Sequence, residues 1–598
     1  MARLRLRGST GRRLVAVLLV LAGSVLFTFR LVDLQLVSAA ELNADATGKR
    51  AVPVVIPSLR GDIVDRGGEV LATTDERYDV QLSPKNTRLN DGIFRRLVTE
   101  GGDARMEPVS AQEAFAEIGA ITGQSAEEIQ AIVDDALEKD PKSDFAYVKR
   151  SVDLSTLNKL KALQIPWLTF DSNHARSYPN GAVAGNIIGF AGADSVPQAG
   201  VELSQNACLT GVDGEESYER GADGVALPGS VVVTQEAVDG GTVNLTIDRD
   251  LQWEAQQVVN EQVAKASAEW GRLTIMNAKT GELVAVAEDG SVDPNDVDAS
   301  DPAKREARSF VDPYEPGSTF KTITASALID QGKATPASQL EVPSSWAPEP
   351  GVSFNDSFAH GTMPWTLTGI MVNSSNVGIS MLGSRLSAET RYDYLRAFGI
   401  GESTDAGMPV EDSGLLYPVE EWDRQTSYNT MFGQGVSSTI VQTAGVYQTI
   451  ANGGLRVPPS VVANCTDADG TVHELDHGDP VQVVSKETAA TMMQVLENVV
   501  QQGWIAPYVS IPGYRIAGKT GTAEQADGHG GYRADYVHSF AGIFPADDPQ
   551  FVVVASIAYP AAGGNAGSMA AVQSFHDAAE ATIRTFHIPP STGGYQQP

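Results

Sequence analysis

Glu315-Pro316-Gly317-Ser318-Thr319-Phe320-Lys321 runs directly into the apolar stretch Thr322 to Ile329. Pro-Gly ahead of an apolar run with a 3.6-residue period predicts a helix starting near Ser318. Ser318 and Lys321, three apart, then share a face, so a hydroxyl and an amine can meet. A lysine held in apolar surroundings near a second cation has its ammonium form disfavoured and can act as a base. A serine beside such a base is an activated nucleophile, and a helix N-terminus favours the negative charge that develops on an attacked carbonyl. Of 14 lysines, Lys321 alone has a serine three residues before it. Taken singly the pair is weak, because an exposed Ser and Lys on a helix is the commoner arrangement.

Two further groups extend this chemistry. Ser374-Ser375-Asn376 falls between helical patterns, where a hydroxyl and a carboxamide two apart on a turn can relay a proton and hold an amide. The bland reading is a loop or helix cap. Lys519-Thr520-Gly521-Thr522 sits in a predicted strand, Arg515 to Ala523, with Lys519 and Gly521 on one face. Gly521 lets a backbone or substrate approach closely, the hydroxyls and Lys519 suit a carboxylate, and the Thr522 N–H could face an oxyanion. Gly513 to Thr520 also satisfies the P-loop pattern, but Ile516-Ala517 read as strand and Gly521 interrupts any following helix.

These groups need a frame. Thr242 to Asp248 reads as a strand, Leu251 to Ala268 as a helix, and Leu273–Met276 with Leu283–Ala287 as a hairpin. Tyr514–Ala523, Val537–Phe544 and Phe551–Tyr559 are three more strands, and a last helix spans Met569 to Phe586. Two strands before a helical middle and three after it predict an α+β fold around a five-stranded antiparallel sheet. Upstream, Val52 to Pro57 is extended, Ala111 to Leu137 helical, and Arg60 to Gly68 a strand entering a tight turn. Nothing in that stretch clusters as a nucleophile with a base, so it reads as a spacer or interaction module.

The 598-residue chain carries a formal charge of −32, which disfavours nucleic acid as a partner. Residues 1–40 reverse the sign, with six arginines against Asp33, and the apolar run Leu14 to Phe29 follows five of them. This reads as an uncleaved single-pass anchor with the arginines cytoplasmic; the rival is a signal peptide cleaved near Ser38-Ala39-Ala40. Cys208 and Cys465 are too few for a disulfide framework or a four-sulfur zinc site, and whether they pair is left open.

Ser-x-x-Lys, Ser-x-Asn and Lys-Thr-Gly in that order resemble the signature of the penicillin-recognising serine acyltransferases. The chain resembles the class B penicillin-binding proteins, the monofunctional peptidoglycan transpeptidases, over about residues 10 to 585. Arg60-Gly-Asp-Ile-Val-Asp65-Arg66-Gly-Gly, Arg176-Ser-Tyr178-Pro179-Asn-Gly181 and Gly200-Val-Glu202-Leu are similar to motifs of that family's non-catalytic module. Gly433-Gln434-Gly435 with Ala451-Asn-Gly-Gly454 resembles another family segment. Length and anchor look closest to FtsI-type septal enzymes of high-GC Gram-positive bacteria.

The resemblance implies a cytoplasmic segment 1–13, a transmembrane anchor 14–37, an elongated pedestal or dimerisation-type module 41–240, a transpeptidase domain 241–588 and a flexible tail 589–598. It implies acyl transfer on the D-Ala-D-Ala end of a stem peptide, with β-lactams as ligands and no metal or cofactor. Ser318 would be the nucleophile and Lys321 its base. Ser374 would pass a proton to the leaving amine, Asn376 would hold the donor amide and Lys519 would orient Ser374. Thr520 and Thr522 would contact the terminal carboxylate around Gly521, with the Ser318 and Thr522 N–H groups as oxyanion hole. Implied partners are a SEDS-type glycosyltransferase, divisome proteins and the plasma membrane, the catalytic domain lying outside the cell. An elongation-type transpeptidase, a carboxypeptidase or β-lactamase, and a silent penicillin-binding sensor or scaffold are the alternatives. No Glu-x-x-Leu-Asn segment of the class A β-lactamase kind follows Asn376.

Overall fold

The computed structural model describes residues 9–38, 51–100, 103–192, 196–219, 229–526, 531–561 and 566–595. Residues 1–59 with 211–239 form one compact unit, and 60–210 with 240–598 another. In the first unit a helix from Ser9 to Val32 is exposed along its apolar length, as an anchor's lipid-facing surface would be, and residues 1–8 lie outside the described residues. Ala51–Ile56 joins a three-stranded antiparallel sheet with Gly214–Glu219 and Val232–Gln235.

The second unit holds the five predicted strands. They are β1 (Trp270–Asn277), β2 (Leu283–Glu288), β3 (Ala517–Ala526), β4 (Tyr532–Phe544) and β5 (Phe551–Ala558), in the antiparallel order β2-β1-β5-β4-β3. Both faces are covered, which is why β5 is a continuous buried run, Phe-Val-Val-Val-Ala-Ser-Ile-Ala, with no polar face. Leu273, Ile275, Val553 and Ile557 pack under the helices α1 (Arg249–Ala266) and α5 (Ala566–Phe586). Met276, Val552 and Val554 join the larger core with Phe320, Val441 and Tyr447, on the side of α2 (Lys321–Asp330) and α4 (Ile440–Ala451). β3 is an edge strand, and that leaves its outer backbone and side chains for a site.

Two expectations are corrected. The helix expected near Ser318 begins as a 3-10 turn, Gly317–Phe320, and becomes α-helical at Lys321. Ala111 to Leu137 is two helices, broken at Gly123, whose φ of 77° ends the first in the left-handed region. Residues 60–210 share a unit with the catalytic residues and also a sheet, because Thr242–Leu245 lies between Ile63–Val64 and Val462–Thr466. From residue 589 the chain has no helix or strand through residue 595, and two of its N–H groups are bonded. The Ser591 N–H donates to Gly513 O at 2.9 Å and the Thr592 N–H to Asp547 at 2.7 Å, while residues 596–598 lie outside the described residues.

Three of the motif-like stretches upstream converge on one buried carboxylate. Arg60 Nε donates to Glu202 at 2.7 Å, Arg176 Nε to the other oxygen at 2.6 Å, and Tyr178 OH at 3.2 Å. Asp65 accepts the N–H groups of Gly67 and Glu69, both at 2.8 Å, and that of Arg249 at 3.0 Å, so the turn fixes the start of α1. Cys208 and Cys465, 257 residues apart, are joined by a disulfide. Closing so long a loop restricts the unfolded chain, so Cys208→Ser with Cys465→Ser is expected to cost roughly 2–5 kcal/mol. Thermal unfolding of the full chain reads this as a lower midpoint; an unchanged midpoint would count against it.

Candidate active site

Ser318 sits in the second position of the 3-10 turn, where i and i+3 side chains eclipse, so Lys321 lies directly against it. Lys321 Nζ is 2.8 Å from Ser318 Oγ. The turn is pinned from three sides. Gly317, at φ 55°, donates its N–H to Gly433 O at 2.9 Å, Thr319 Oγ1 bonds Pro316 O at 2.8 Å, and Tyr447 OH from α4 donates to Thr319 O at 2.9 Å. A Cβ on Gly433 would stand 2.1 Å from Gly317 O, so the chain can pass the serine turn at position 433 only as glycine.

The second group enters between a helix at Leu367–Val372 and α3 (Asn376–Gly383). Ser375 caps α3 by accepting the Gly378 N–H at 2.8 Å. Ser374 takes a φ of 55°, rare for a residue with a side chain, and the conformation aims its Oγ and its carbonyl oxygen at the same amine. Lys321 Nζ lies 2.5 Å from Ser374 O, 3.3 Å from Ser374 Oγ and 2.7 Å from Asn376 Oδ1. The carboxamide orientation is fixed at its other end, where Asn376 Nδ2 donates to Asn355 O at 3.2 Å.

Lys519 reaches in from β3, with Nζ 2.9 Å from Ser374 Oγ, 3.2 Å from Thr520 O and 3.4 Å from Thr520 Oγ1. Gly521 faces the serine turn closely enough that a Cβ would meet Pro316 O at 2.9 Å and Thr319 Cγ2 at 3.1 Å. The Thr522 carbonyl stands 3.0 Å from a Cβ placed on Gly317, which puts its backbone beside Ser318, and the Thr522 side chain is exposed at the rim. Beyond it, Thr522 Oγ1 lies 3.4 Å from His538 Nδ1, and burial lowers His538 to about 4, so this ring is neutral. Ser318, Lys321, Ser374, Asn376 and Lys519 therefore form one connected cluster, with Thr520 and Gly521 against it and Thr522 at its outer end. Because Lys519 lies inside the strand Ala517–Ala526, where a P-loop would need a helix to begin, the P-loop pattern has no phosphate-binding geometry.

The electrostatics select a neutral amine. Lys321 and Lys519 are both 0 % exposed. Burial, then the nearby Lys519 charge, hold Lys321 well below the ordinary ammonium range, against the opposing pull of Asp356. Burial brings Lys519 down to about 7. A neutral amine has two N–H donors and one lone pair. Ser374 O and Asn376 Oδ1 can only accept, so they take the two donors, and the lone pair remains for the Ser318 O–H.

Residues outside the three motifs support this arrangement. Asp356, 3 % exposed, accepts Ser375 Oγ at 2.7 Å and the Val377 N–H at 2.9 Å. Glu315, next to the serine turn, accepts the Gly435 N–H at 3.2 Å, and burial raises its carboxyl to about 7. Tyr314 OH, Ser556 Oγ and Ser539 Oγ form a buried chain at 2.7 and 2.9 Å that fastens the approach to the turn. The sequence carries no spacing signal for Asp356 or Glu315.

Comparison with known proteins agrees with the geometry. Residues 271–580 match the family described as penicillin binding protein transpeptidase domain, and 55–245 match the penicillin-binding protein dimerisation domain. The chain is 37% identical over 602 residues to penicillin-binding protein PbpB of Mycolicibacterium smegmatis, covering 98% of this chain and 91% of the relative. It is 28% identical over 537 residues to peptidoglycan D,D-transpeptidase FtsI of Escherichia coli, covering 90% of this chain and 85% of the relative. Among solved structures, penicillin binding protein 3 of Mycobacterium tuberculosis complexed with ampicillin superposes with a TM-score of 0.68 at 32% identity, covering 90% of this chain and 98% of that one.

Proposed function

The chain belongs to the class B penicillin-binding proteins with FtsI-type relatives, and from that premise we propose how its residues perform the transpeptidase reaction. It is a serine-type peptidoglycan D,D-transpeptidase that takes β-lactams as substrate mimics. Ser318 Oγ attacks the carbonyl of the penultimate D-Ala as its proton passes to Lys321 Nζ. Ser374 Oγ, between the two amines, carries a proton to the departing D-Ala nitrogen, and Lys519 orients it. Asn376 holds the donor amide, Thr520 and Thr522 take the terminal carboxylate around Gly521, and the Ser318 and Thr522 N–H groups receive the oxyanion. An amine from a neighbouring stem peptide then resolves the ester and makes the cross-link.

The observation that carries this reading is the Lys321 amine, completely buried yet 2.8 Å from Ser318 Oγ, with carbonyl acceptors for both of its N–H groups. A peptide ending in D-Ala-D-Ala tests it. With an acceptor amine present, the full-length protein is expected to release D-Ala and form the transfer product; release without transfer would make it a carboxypeptidase. Lys519→Ala leaves Ser374 without its orienting cation and weakens carboxylate binding, so acylation is expected to fall about 10- to 100-fold. Circular dichroism should stay that of the folded protein, and a full-speed or an unfolded variant would each contradict this role.

The exposed helix Ser9–Val32 fits a single-pass membrane anchor. Three features support a catalytic domain outside the cell: the arginines before the apolar run, the disulfide, which persists in oxidising compartments, and the peptidoglycan substrate. The proposed organisation is a cytoplasmic segment 1–13, a span 14–37, a non-catalytic module 41–240, a catalytic domain 241–588 and a tail 589–598. The septal duty and the SEDS-type glycosyltransferase and divisome partners belong to the same proposal. They rest on the FtsI-type relationship.

A further inference from the structure

Between two short ribbons, Ser345–Trp346 with Phe354–Asn355 and Gln339–Val342 with Met363–Thr366, the chain forms a loop that carries Asp356 and His360. His360 is almost enclosed, its side chain 8 % exposed. Its two ring nitrogens both meet oxygens that can only accept. Nε2 is 2.9 Å from Asp356 Oδ2, and Nδ1 is 2.6 Å from Gly361 O. A neutral imidazole has one N–H and can satisfy one of them; an imidazolium satisfies both. The ring also lies 4.7 Å from the Trp365 ring and 5.1 Å from that of Phe358, surroundings that favour a cation.

Asp356 is where this charge is felt. Its carboxylate fixes the turn of Ser374–Asn376 through Ser375 Oγ and the Val377 N–H, and its charge pulls Lys321 back toward the ammonium form. We propose that His360 is a positioning residue for acyl transfer, a proton-dependent clamp whose imidazolium holds Asp356 in place and offsets its charge on the catalytic lysine. The proposal rests on the acyl-transfer reading of the site. Loss of the proton breaks one of the two hydrogen bonds, loosens Asp356 and leaves its full charge facing Lys321. Both effects slow acylation.

Of the groups around the ring, Asp356 is the charged one in contact. The paired ribbon brings Glu341, whose side chain is exposed, the helices from Leu367 to Gly383 bring no titratable side chain, and Lys321 and Lys519 lie beyond Asp356. Burial alone would lower the His360 pKa, but the hydrogen bonds to Asp356 and Gly361 O, with the Asp356 charge, raise it above the ordinary imidazole value. The imidazolium contribution is therefore fully present below the ordinary imidazole value and is lost as pH rises through the raised one.

The test is the rate of acylation by a fluorescent penicillin, measured on the full-length protein in detergent from pH 5.5 to 9, for wild type, His360→Gln and His360→Lys. The Lys519 ionisation acts in all three and cancels in ratios, whereas a shift of the Lys321 ionisation is part of the effect that the ratios read. The wild-type to His360→Gln ratio is expected to be about 10 at the acid end and to fall toward 1 as His360 loses its proton. The wild-type to His360→Lys ratio should fall over the same interval, since lysine keeps its charge there, and this holds the test open if the Gln variant misfolds. Ratios that do not change with pH would overturn the proposal and leave His360 a merely structural residue. An absence of adduct on the wild type would instead overturn the acyl-transfer reading, and the proposal would fall with it.

Discussion

Ser318→Ala is expected to abolish covalent acylation by a penicillin while leaving the fold intact. The hydroxyl is a half-buried group at a pinned turn, and the contacts that hold the turn run through Gly317, Thr319 and Tyr447 rather than through Ser318 Oγ. Its removal therefore takes away the reacting atom and little else. In a serine enzyme that reacts through an ester, loss of the nucleophile costs on the order of 10⁶-fold in rate, which here means no detectable adduct. Binding without reaction should survive, because Lys519, Thr520, Thr522 and Asn376 are untouched. A stoichiometric adduct on the alanine variant would mean that another oxygen is the nucleophile.

Lys321→Met is expected to slow acylation about 10³-fold, the ordinary worth of a positioned general base and about 4 kcal/mol of barrier. Methionine keeps much of the buried stem but offers no lone pair to Ser318 and no N–H to Ser374 O or Asn376 Oδ1, which lie 2.5 and 2.7 Å from the amine. The wild-type rate should rise as Lys321 loses its proton, with that limb well below the range of an ordinary lysine, because burial and the Lys519 charge disfavour the ammonium. The methionine variant should lack this limb. A variant retaining wild-type speed and the same rising limb would assign the base elsewhere, Lys519 being the neighbouring candidate.

How much of this was legible in the residues follows from how local each feature is. The five strands and the last helix were readable because their apolar runs are long and bounded by turn residues, and the observed boundaries differ from the expected ones by a few positions. The three motifs were readable by type and spacing, and their convergence is a tertiary fact: Lys519 meets Ser374 across 145 positions. Asp356 gave no signal, since it acts from an irregular loop 19 residues before Ser375. His360 was likewise silent, because a lone histidine beside a carboxylate four residues away is common. The left-handed backbone at Ser374 could not be read either, because serine has no preference for it and the surrounding contacts impose it. The sheet shared between the two modules depends on Thr242–Leu245 lying parallel to Ile63–Val64, a pairing too distant in the chain for any pattern to reveal.

The most direct test of the central claim, that Ser318 is the nucleophile of a converged three-motif site, is to locate the ampicillin adduct on the full-length protein by peptide mass spectrometry. The account predicts a single adduct on the tryptic peptide Ser309–Lys321, with fragmentation placing it on Ser318 rather than on Ser309, Tyr314 or Thr319. An adduct on another of these oxygens or on another peptide, or no adduct on folded protein, would contradict it.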